Sequence, residues 1–392
     1  MKAFRVVVFW MHLLTGITVG VVVLIMSATG VLLTYEKQML RWADTRGLDG
    51  GPPTAGASRL DVATLVARTS RTAQRTPTAI TWRAEADAPV EISFGRERTL
   101  FVNAYTGAVL GDGSQGAHVL FAKITDWHRV LGAGGPMRAR GKAITGAANV
   151  GFLFIVVSGI YLWWPRHWTR RTLRNATLFR RGLRSKARDF NWHNVIGLWS
   201  WAPLVIVVAS GVVISYPWAS RLVYRAVGES PPAAQGPPAG APGGATPAVD
   251  GIDALVARAT QRVPEWRSIS LALPASPAAP LVFQIDAGMG GQPQRRAELT
   301  IDRATGREVK WQSFSSLTPG RRLRTILRFA HTGEVLGVVG QTIAGLASLG
   351  AVFLVYTGLA LSWRRLRSWS RRRRRFATDG HLRGASAVRA PP

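Results

Sequence analysis

Four long runs without charged side chains alternate with polar segments along the chain. The runs cover residues 6–35, 143–165, 190–220 and 335–363. A bilayer core of about 30 Å is crossed by about 20 helical residues, so each run is long enough to span a membrane. The pattern predicts an integral membrane protein with four transmembrane helices, at 4–35, 143–165, 191–217 and 335–363.

The two longest polar segments contain the same succession of patterns. Residues 65–68 and 255–258 both read Leu-Val-Ala-Arg at helical spacing, and alternating apolar and polar residues follow each of them. The alternating runs are 79–82, 90–94 and 99–103 in the first segment, then 268–273, 281–285 and 298–301 in the second. A Thr-Gly turn closes each series. We therefore expect two small α+β domains outside the membrane, at 36–116 and 251–318.

The remaining segments are shorter. Two of them, 117–142 and 319–334, carry His128 and His331 just before a transmembrane helix. A basic loop is expected at 166–190 and a basic tail at 364–392. The stretch 218–250 is rich in Pro, Ala and Gly, which predicts a flexible linker.

The chain contains an internal repeat. The step from His12 to Gly30 is 18 residues and so is the step from His193 to Gly211, and a Tyr lies 23 residues after each of the two histidines. Each half crosses the membrane twice and returns to the side from which it started. The repeats are therefore expected to be parallel, related by an axis along the membrane normal, with equivalent residues at equal depth.

The distribution of charge predicts the orientation. The net charge is +29, but the loop 165–190 has nine Arg or Lys against one Asp, while the long segments 36–142 and 217–334 are each only +5. This asymmetry follows the positive-inside rule. It places both termini and the loop in the cytoplasm and makes membrane lipids, not nucleic acid, the expected partner of the basic residues.

Cysteine is absent, which excludes disulfides, Cys-ligated clusters and thioether-bound haem. The sequence also lacks a dinucleotide fingerprint, a phosphate loop and a His-Glu-x-x-His motif.

Two pairs of histidines are the candidate site. His12 and His193 lie at matched positions inside otherwise uncharged spans, where an ionisable side chain is unfavourable and suggests function. At equal depth they can supply both axial ligands of one haem iron. His128 and His331 form a second pair on the outer side. The alternative is that these histidines are interfacial residues bonded to backbone, lipid or substrate.

All four predicted helices contain a hydroxyl residue directly before a glycine, at 29–30, 158–159, 210–211 and 357–358. Small residues let helices approach closely, and we interpret these pairs first as packing positions. They also leave room for a flat macrocycle.

The Thr-Gly hairpins, the outer histidines followed by Leu-Gly, and the helices that end in Trp-Pro-Arg or Trp-Arg-Arg resemble the PepSY-associated transmembrane helix family. The resemblance extends from Phe4 to about Arg367. It implies PepSY-like outer domains, a bacterial inner-membrane location and a link to iron uptake, because some members are di-haem reductases of ferric siderophores.

The resemblance and the histidines together favour an oxidoreductase with two b-type haems, bound by His12 with His193 and by His128 with His331. Electrons would pass from a cytoplasmic donor to a ferric siderophore delivered by an outer-membrane uptake system. Two alternatives stay open: a membrane-anchored PepSY module that binds or regulates a peptidase, and a component of a siderophore permease.

Overall fold

The structure is a computed structural model that describes residues 2–95, 98–165, 167–232, 248–274 and 276–387. The chain divides into two compact units. The helical unit contains the residues up to Leu32, Thr125–Val212 and the residues from Ile343 onward. The sheet unit contains Leu33–Ile124 and Val213–Thr342.

Four helices among the described residues are long and apolar enough to cross a membrane, as the sequence predicted. They are α1 (Lys2–Leu32), α5 (Arg138–Trp163), α7 (Ser185–Ser215) and α11 (Gly337–Ala387). The last two exceed their predicted spans, because α7 begins within the basic loop and α11 continues into the basic tail. A short helix, α6 (Arg170–Thr177), lies in the loop between α5 and α7.

Small residues set the packing of the helical unit. A side chain at Gly151 of α5 would meet Val19 of α1 at 3.1 Å, so the glycine lets these two helices approach closely. A cluster of buried apolar residues joins α5, α7 and α11, and it comprises Val156, Leu204, Val208, Ala347 and Ala351. These contacts hold the helices that carry the candidate histidines.

The sheet unit is built on one antiparallel sheet of eight strands, in the order β4-β3-β2-β1-β5-β6-β7-β8. The strands are β1 (Ala79–Arg83), β2 (Val90–Phe94), β3 (Arg98–Val102), β4 (Val109–Asp112), β5 (Ser268–Ala272), β6 (Leu281–Asp286), β7 (Arg296–Ile301) and β8 (Glu308–Ser313). The sequence predicted all of them except β4 and β8, which follow the Thr-Gly turns.

One feature of the sheet differs from the expectation of two separate domains. Strand β1 of the first half pairs with β5 of the second, with Ile80 opposite Leu271 and Thr81 opposite Ser270. Both apolar residues are fully buried. An unpaired edge strand exposes backbone donors and acceptors, and this pairing removes one such edge from each half. The two sets of four strands therefore share one core.

The Leu-Val-Ala-Arg motif lies on α3 (Val62–Ala73) and on α9 (Asp253–Arg262). Its arginine donates to a carbonyl of the Thr-Gly turn in each half, Arg68 to Thr106 and Arg258 to Gly306. The turn glycines have φ of +71° and +65°, a conformation that favours glycine. The motif thus fastens each helix to its own hairpin.

Four further helices precede or follow the strands in the order of the chain. They are α2 (Glu36–Thr45), α4 (Gln115–Val130), α8 (Pro217–Ala226) and α10 (Pro319–Ala330). Helix α8 corrects the prediction of a flexible linker over 218–250: Pro217 starts a helix, as proline favours at a first turn, and Ala219 and Tyr224 are buried. Residues 233–247 of that predicted linker lie outside the described residues.

Helices and strands follow the same order in both halves. Each half runs from a long helix through a short helix, a third helix and four strands to a helix that precedes a second long helix. This order places His12 and His193 on the first long helix of their halves, whereas His128 lies within α4 and His331 follows α10.

The shared sheet predicts that the halves unfold together. Ile80→Ala and Leu271→Ala should each lower the free energy of unfolding by about 2–5 kcal/mol, because each empties a fully buried site. Since the two residues are directly opposite, the double variant should lose less than the sum, with a coupling of about 0.5–3 kcal/mol. Chemical unfolding followed by tryptophan fluorescence measures this. Two separate unfolding transitions would mean that the halves fold independently. Strict additivity would show that the two side chains do not interact across the β1–β5 pairing.

Candidate functional site

Three of the four candidate histidines belong to the helical unit. His12 lies on α1, His193 on α7 and His128 near the end of α4, and all three side chains are half-buried. His331 belongs to the sheet unit, where it follows the last residue of α10 and donates its backbone N–H to Leu327.

His12 and His193 make equivalent hydrogen bonds. Nδ1 of His12 lies 2.8 Å from Oγ of Ser158 on α5, and Nδ1 of His193 lies 2.9 Å from Oγ1 of Thr357 on α11. In both cases the hydroxyl comes from the second long helix of the same half. The matched spacing of the two histidines in the sequence therefore corresponds to a matched contact.

The hydroxyl groups have a second acceptor besides the ring. The Thr357 hydroxyl lies 2.8 Å from the carbonyl of Phe353, and the Ser158 hydroxyl lies 3.3 Å from that of Ile155. A hydroxyl that donates to this carbonyl accepts from the imidazole, and Nδ1 then carries the proton. In that tautomer the lone pair is on Nε2, where a neutral imidazole can bind a metal.

The glycine after each hydroxyl residue adjoins the same ring. A Cβ at Gly159 would lie 3.5 Å from Cε1 of His12, and one at Gly358 would lie 3.4 Å from Cε1 of His193. Because glycine has no side chain, each imidazole packs against the helix backbone at this position. The hydroxyl lies at hydrogen-bond distance from Nδ1 of each ring, and the glycine lies beside Cε1.

His128 has the same arrangement at the other end of α1. Its Nδ1 is 3.0 Å from Oγ1 of Thr29, whose hydroxyl donates to Ile25 at 2.7 Å. A Cβ at Gly30 would lie 3.6 Å from Cε1 of His128. In the fourth pair, Ser210 donates to its own helix in the same way, to Ile206 at 2.6 Å.

These contacts change the interpretation of the hydroxyl–glycine pairs. The sequence favoured a packing role for these pairs, yet Thr29, Ser158 and Thr357 each lie at hydrogen-bond distance from a candidate histidine. The sequence did hold a hint of this role, because the hydroxyl–glycine pairs and the histidines are both repeated in the two halves. It does not show which helices are in contact, and that contact brings each hydroxyl to a histidine.

The donor set fits a haem iron. His12 and His193 each have Nδ1 at hydrogen-bond distance from a hydroxyl, which would leave Nε2 for a metal. A haem takes only its axial ligands from the protein, and paired imidazoles are suited to that role. In the described part of the chain, no group of three or more His, Cys, Asp or Glu is arranged to hold a metal ion.

An ion pair with a buried carboxylate lies next to the His193 site, and no pattern in the sequence indicated it. Asp189 is one helical turn before His193 on α7 and is fully buried. Its carboxylate lies 2.6 Å from Arg364 of α11 and 3.1 Å from Arg188. Because Arg364 follows Thr357 by two turns, the pair fixes the register of α7 against α11 and hence of His193 against Thr357.

Two arginines position the N-terminal part of α1, which carries His12. Arg5 donates to the carbonyl of Trp164 at 3.2 Å, just beyond the end of α5. Arg365 of α11 stacks over Trp10 at 4.8 Å from the ring centre, two residues before His12. Both contacts restrict the position of His12 relative to α5 and α11.

Four membrane-length helices and an antiparallel sheet region define a multi-pass membrane protein with α+β parts. The chain belongs to the family described as the PepSY-associated TM region, which matches residues 9–365. Comparison with curated proteins gives no match.

The Asp189 ion pair predicts a measurable effect of a small substitution. Asp189→Asn should lower the free energy of unfolding by about 1.5–3 kcal/mol, because it removes the charge that Arg364 and Arg188 face while both guanidinium groups keep partial contact with solvent. The matched control is Asp126→Asn, which breaks an exposed pair with Arg138 and should lose less than about 1 kcal/mol. Chemical unfolding in detergent measures both. Equal, small losses would show that Asp189 does not hold the helices together.

Proposed function

We propose that this protein binds haem within the membrane and carries electrons across it. The observation that carries the proposal is the matched pair of His12 and His193, each with Nδ1 at hydrogen-bond distance from a hydroxyl, which would leave Nε2 for iron. A haem-iron ligand needs a fixed ring orientation and a fixed tautomer, and a bond from its other nitrogen typically supplies both.

His12 and His193 would hold one b-type haem by their Nε2 atoms. When bound, the haem supplies a carrier that takes up and releases one electron. The chain's own residues determine the orientation of the ligands: Ser158 and Thr357 accept the Nδ1 protons, while Asp189 and Arg364 maintain the helix register. The absence of cysteine means that the haem would be held without a thioether bond.

A second haem is proposed at the opposite end of the helices. His128 has the tautomer and the hydroxyl partner of the first site, and Thr29 lies 17 residues after His12, or about 25 Å along α1. The repeat assigns His331 as the other ligand, which stays a prediction from the sequence. Two carriers at these depths would connect both faces of the membrane.

We further propose that the two halves are parallel repeats with PepSY-like outer domains, and that the protein lies in a bacterial inner membrane with cytoplasmic termini. The recurring order of elements and the basic residues of the 165–190 loop support this orientation. Electrons would come from a cytoplasmic donor protein. The resemblance to ferric-siderophore reductases suggests a ferric siderophore as the acceptor.

Absorption spectra test the proposal. Purified protein produced with ample haem should give a reduced-minus-oxidised spectrum of b-type haem, with two haems per chain by pyridine haemochrome. His12→Ala and His193→Ala should each remove one haem, because each deletes an iron ligand. The matched control is His167→Ala, at an exposed position in the loop, which should retain both.

A folded, haem-free wild type would contradict the proposal. It would favour instead a membrane-anchored binding or regulatory module, which needs no haem. Retention of both haems in His12→Ala and in His193→Ala would refute the assignment of ligands.

The hydroxyl partners give a subtler prediction. Thr357→Val keeps the shape of the side chain but removes the acceptor of His193, so haem affinity at that site should fall by about 10–100-fold. The midpoint potential of the haem that still binds to His193 should rise, since an imidazole without this hydrogen bond donates less charge to ferric iron. A redox titration with optical detection measures both effects.

The control is Ser362→Ala, also on α11, whose hydroxyl bonds to the Gly358 carbonyl of its own helix. An unchanged potential in Thr357→Val, or an equal shift in Ser362→Ala, would exclude a special role for Thr357.

A further inference from the structure

One aromatic ring of the sheet unit is surrounded by cations from three elements. Phe329 of α10 is half-buried. Lys37 of α2 lies 5.7 Å from the ring centre, Arg296 of β7 lies 6.0 Å from it, and Arg328 of α10 lies 5.9 Å from it. We call these four residues the Phe329 cluster. Cations repel one another, so such a grouping needs negative charge nearby to be stable.

Two of the three cations have an acidic partner within the protein. Lys37 pairs with Glu334 at 2.7 Å and Arg296 with Asp286 at 3.1 Å. Both carboxylates are about nine-tenths covered, while the two cations stay half exposed. Within the described ranges, Arg328 has no acidic side chain at ion-pair distance. The cluster therefore presents a net positive surface that includes an unneutralised guanidinium.

The positive surface continues along α10. Arg321, Arg324 and Arg328 are spaced by three and four residues, which places them on one face of the helix, and His331 follows at the next such position. Helix α10 contains four arginines and no acidic residue. The face leads directly to a proposed haem ligand.

The first half of the chain lacks this surface. Counted back from His128, the equivalent positions of α4 are Thr125, Phe121 and His118. The difference between the halves indicates a role that only the second half performs. The arginines of α10 do not serve as an orientation signal, because the positive-inside rule places such arginines on the opposite side of the membrane.

We propose that the Phe329 cluster and the arginine face of α10 bind a small anionic metal chelate, one whose ligand bears carboxylates. Arginine forms paired hydrogen bonds to a carboxylate in a fixed geometry, which Arg296 and Arg328 can supply, and Lys37 adds a point charge at the same place. The inference rests on the proposed function, for which it specifies the charge and the docking position of the acceptor.

Binding can be tested without electron transfer, because gallium(III) forms similar chelates and is not reduced. Full-length protein in nanodiscs of zwitterionic lipid would be titrated calorimetrically with gallium(III) citrate. Arg328→Gln should weaken binding about tenfold, the loss of one charge-assisted hydrogen bond. Raising the salt concentration should weaken it further.

The matched control is Arg262→Gln. Arg262 also stacks on an aromatic ring, 4.6 Å from the centre of Trp311, but it lies on α9 and pairs with Glu308. Its substitution should leave chelate affinity unchanged. The positively charged gallium(III) complex of desferrioxamine B should bind wild type weakly and show no dependence on Arg328.

Three results would overturn the inference: equal affinity of Arg328→Gln and wild type, equal binding of the cationic chelate, or displacement of citrate when phosphatidylglycerol is added to the nanodisc. The last result would assign the cluster to lipid headgroups. Haem content, measured by absorbance on the same samples, separates the two proposals. Haem-free protein that binds citrate through Arg328 would overturn the electron-transfer function and leave the anion site standing.

Discussion

The hydrogen bond from an imidazole Nδ1 to a hydroxyl is the interaction on which the account depends. A polar ring within a membrane helix needs a partner, since no water is available in the bilayer core. Here the partner oxygen also bonds to a carbonyl of its own helix and is able to accept from the ring. The same geometry recurs at His12, His128 and His193. One local pattern thus orients three rings, and at His12 and His193 a proton on Nδ1 would leave Nε2 for a ligand.

Much of the fold could be predicted from local patterns. Charge-free runs gave the four long helices, and alternation gave six of the eight strands, because both signals lie within a few neighbouring residues. Strands β4 and β8 were missed since they are half-exposed and lack clear alternation. The pairing of β1 with β5 joins residues about 190 positions apart in the sequence, and no local pattern encodes such a contact.

The candidate site was predictable in part. The equal steps from His12 and His193 made them a candidate pair, because a duplicated chain is expected to place equivalent residues at equal depth. The roles of Ser158 and Thr357 were not predictable, since they depend on which helix packs against which ring. The ion pair between Asp189 and Arg364 was not predicted, for the same reason. In the sequence, both residues lie in basic segments at the membrane boundary, and nothing there links one to the other.

Electron paramagnetic resonance of the oxidised protein, prepared with ¹⁵N-histidine, tests the central claim most directly. The account predicts a low-spin ferric signal with two histidine nitrogens coupled to each iron, and loss of this signal from one haem in His193→Ala. A high-spin signal, or coupling to a single histidine nitrogen in folded, haem-loaded protein, would contradict it.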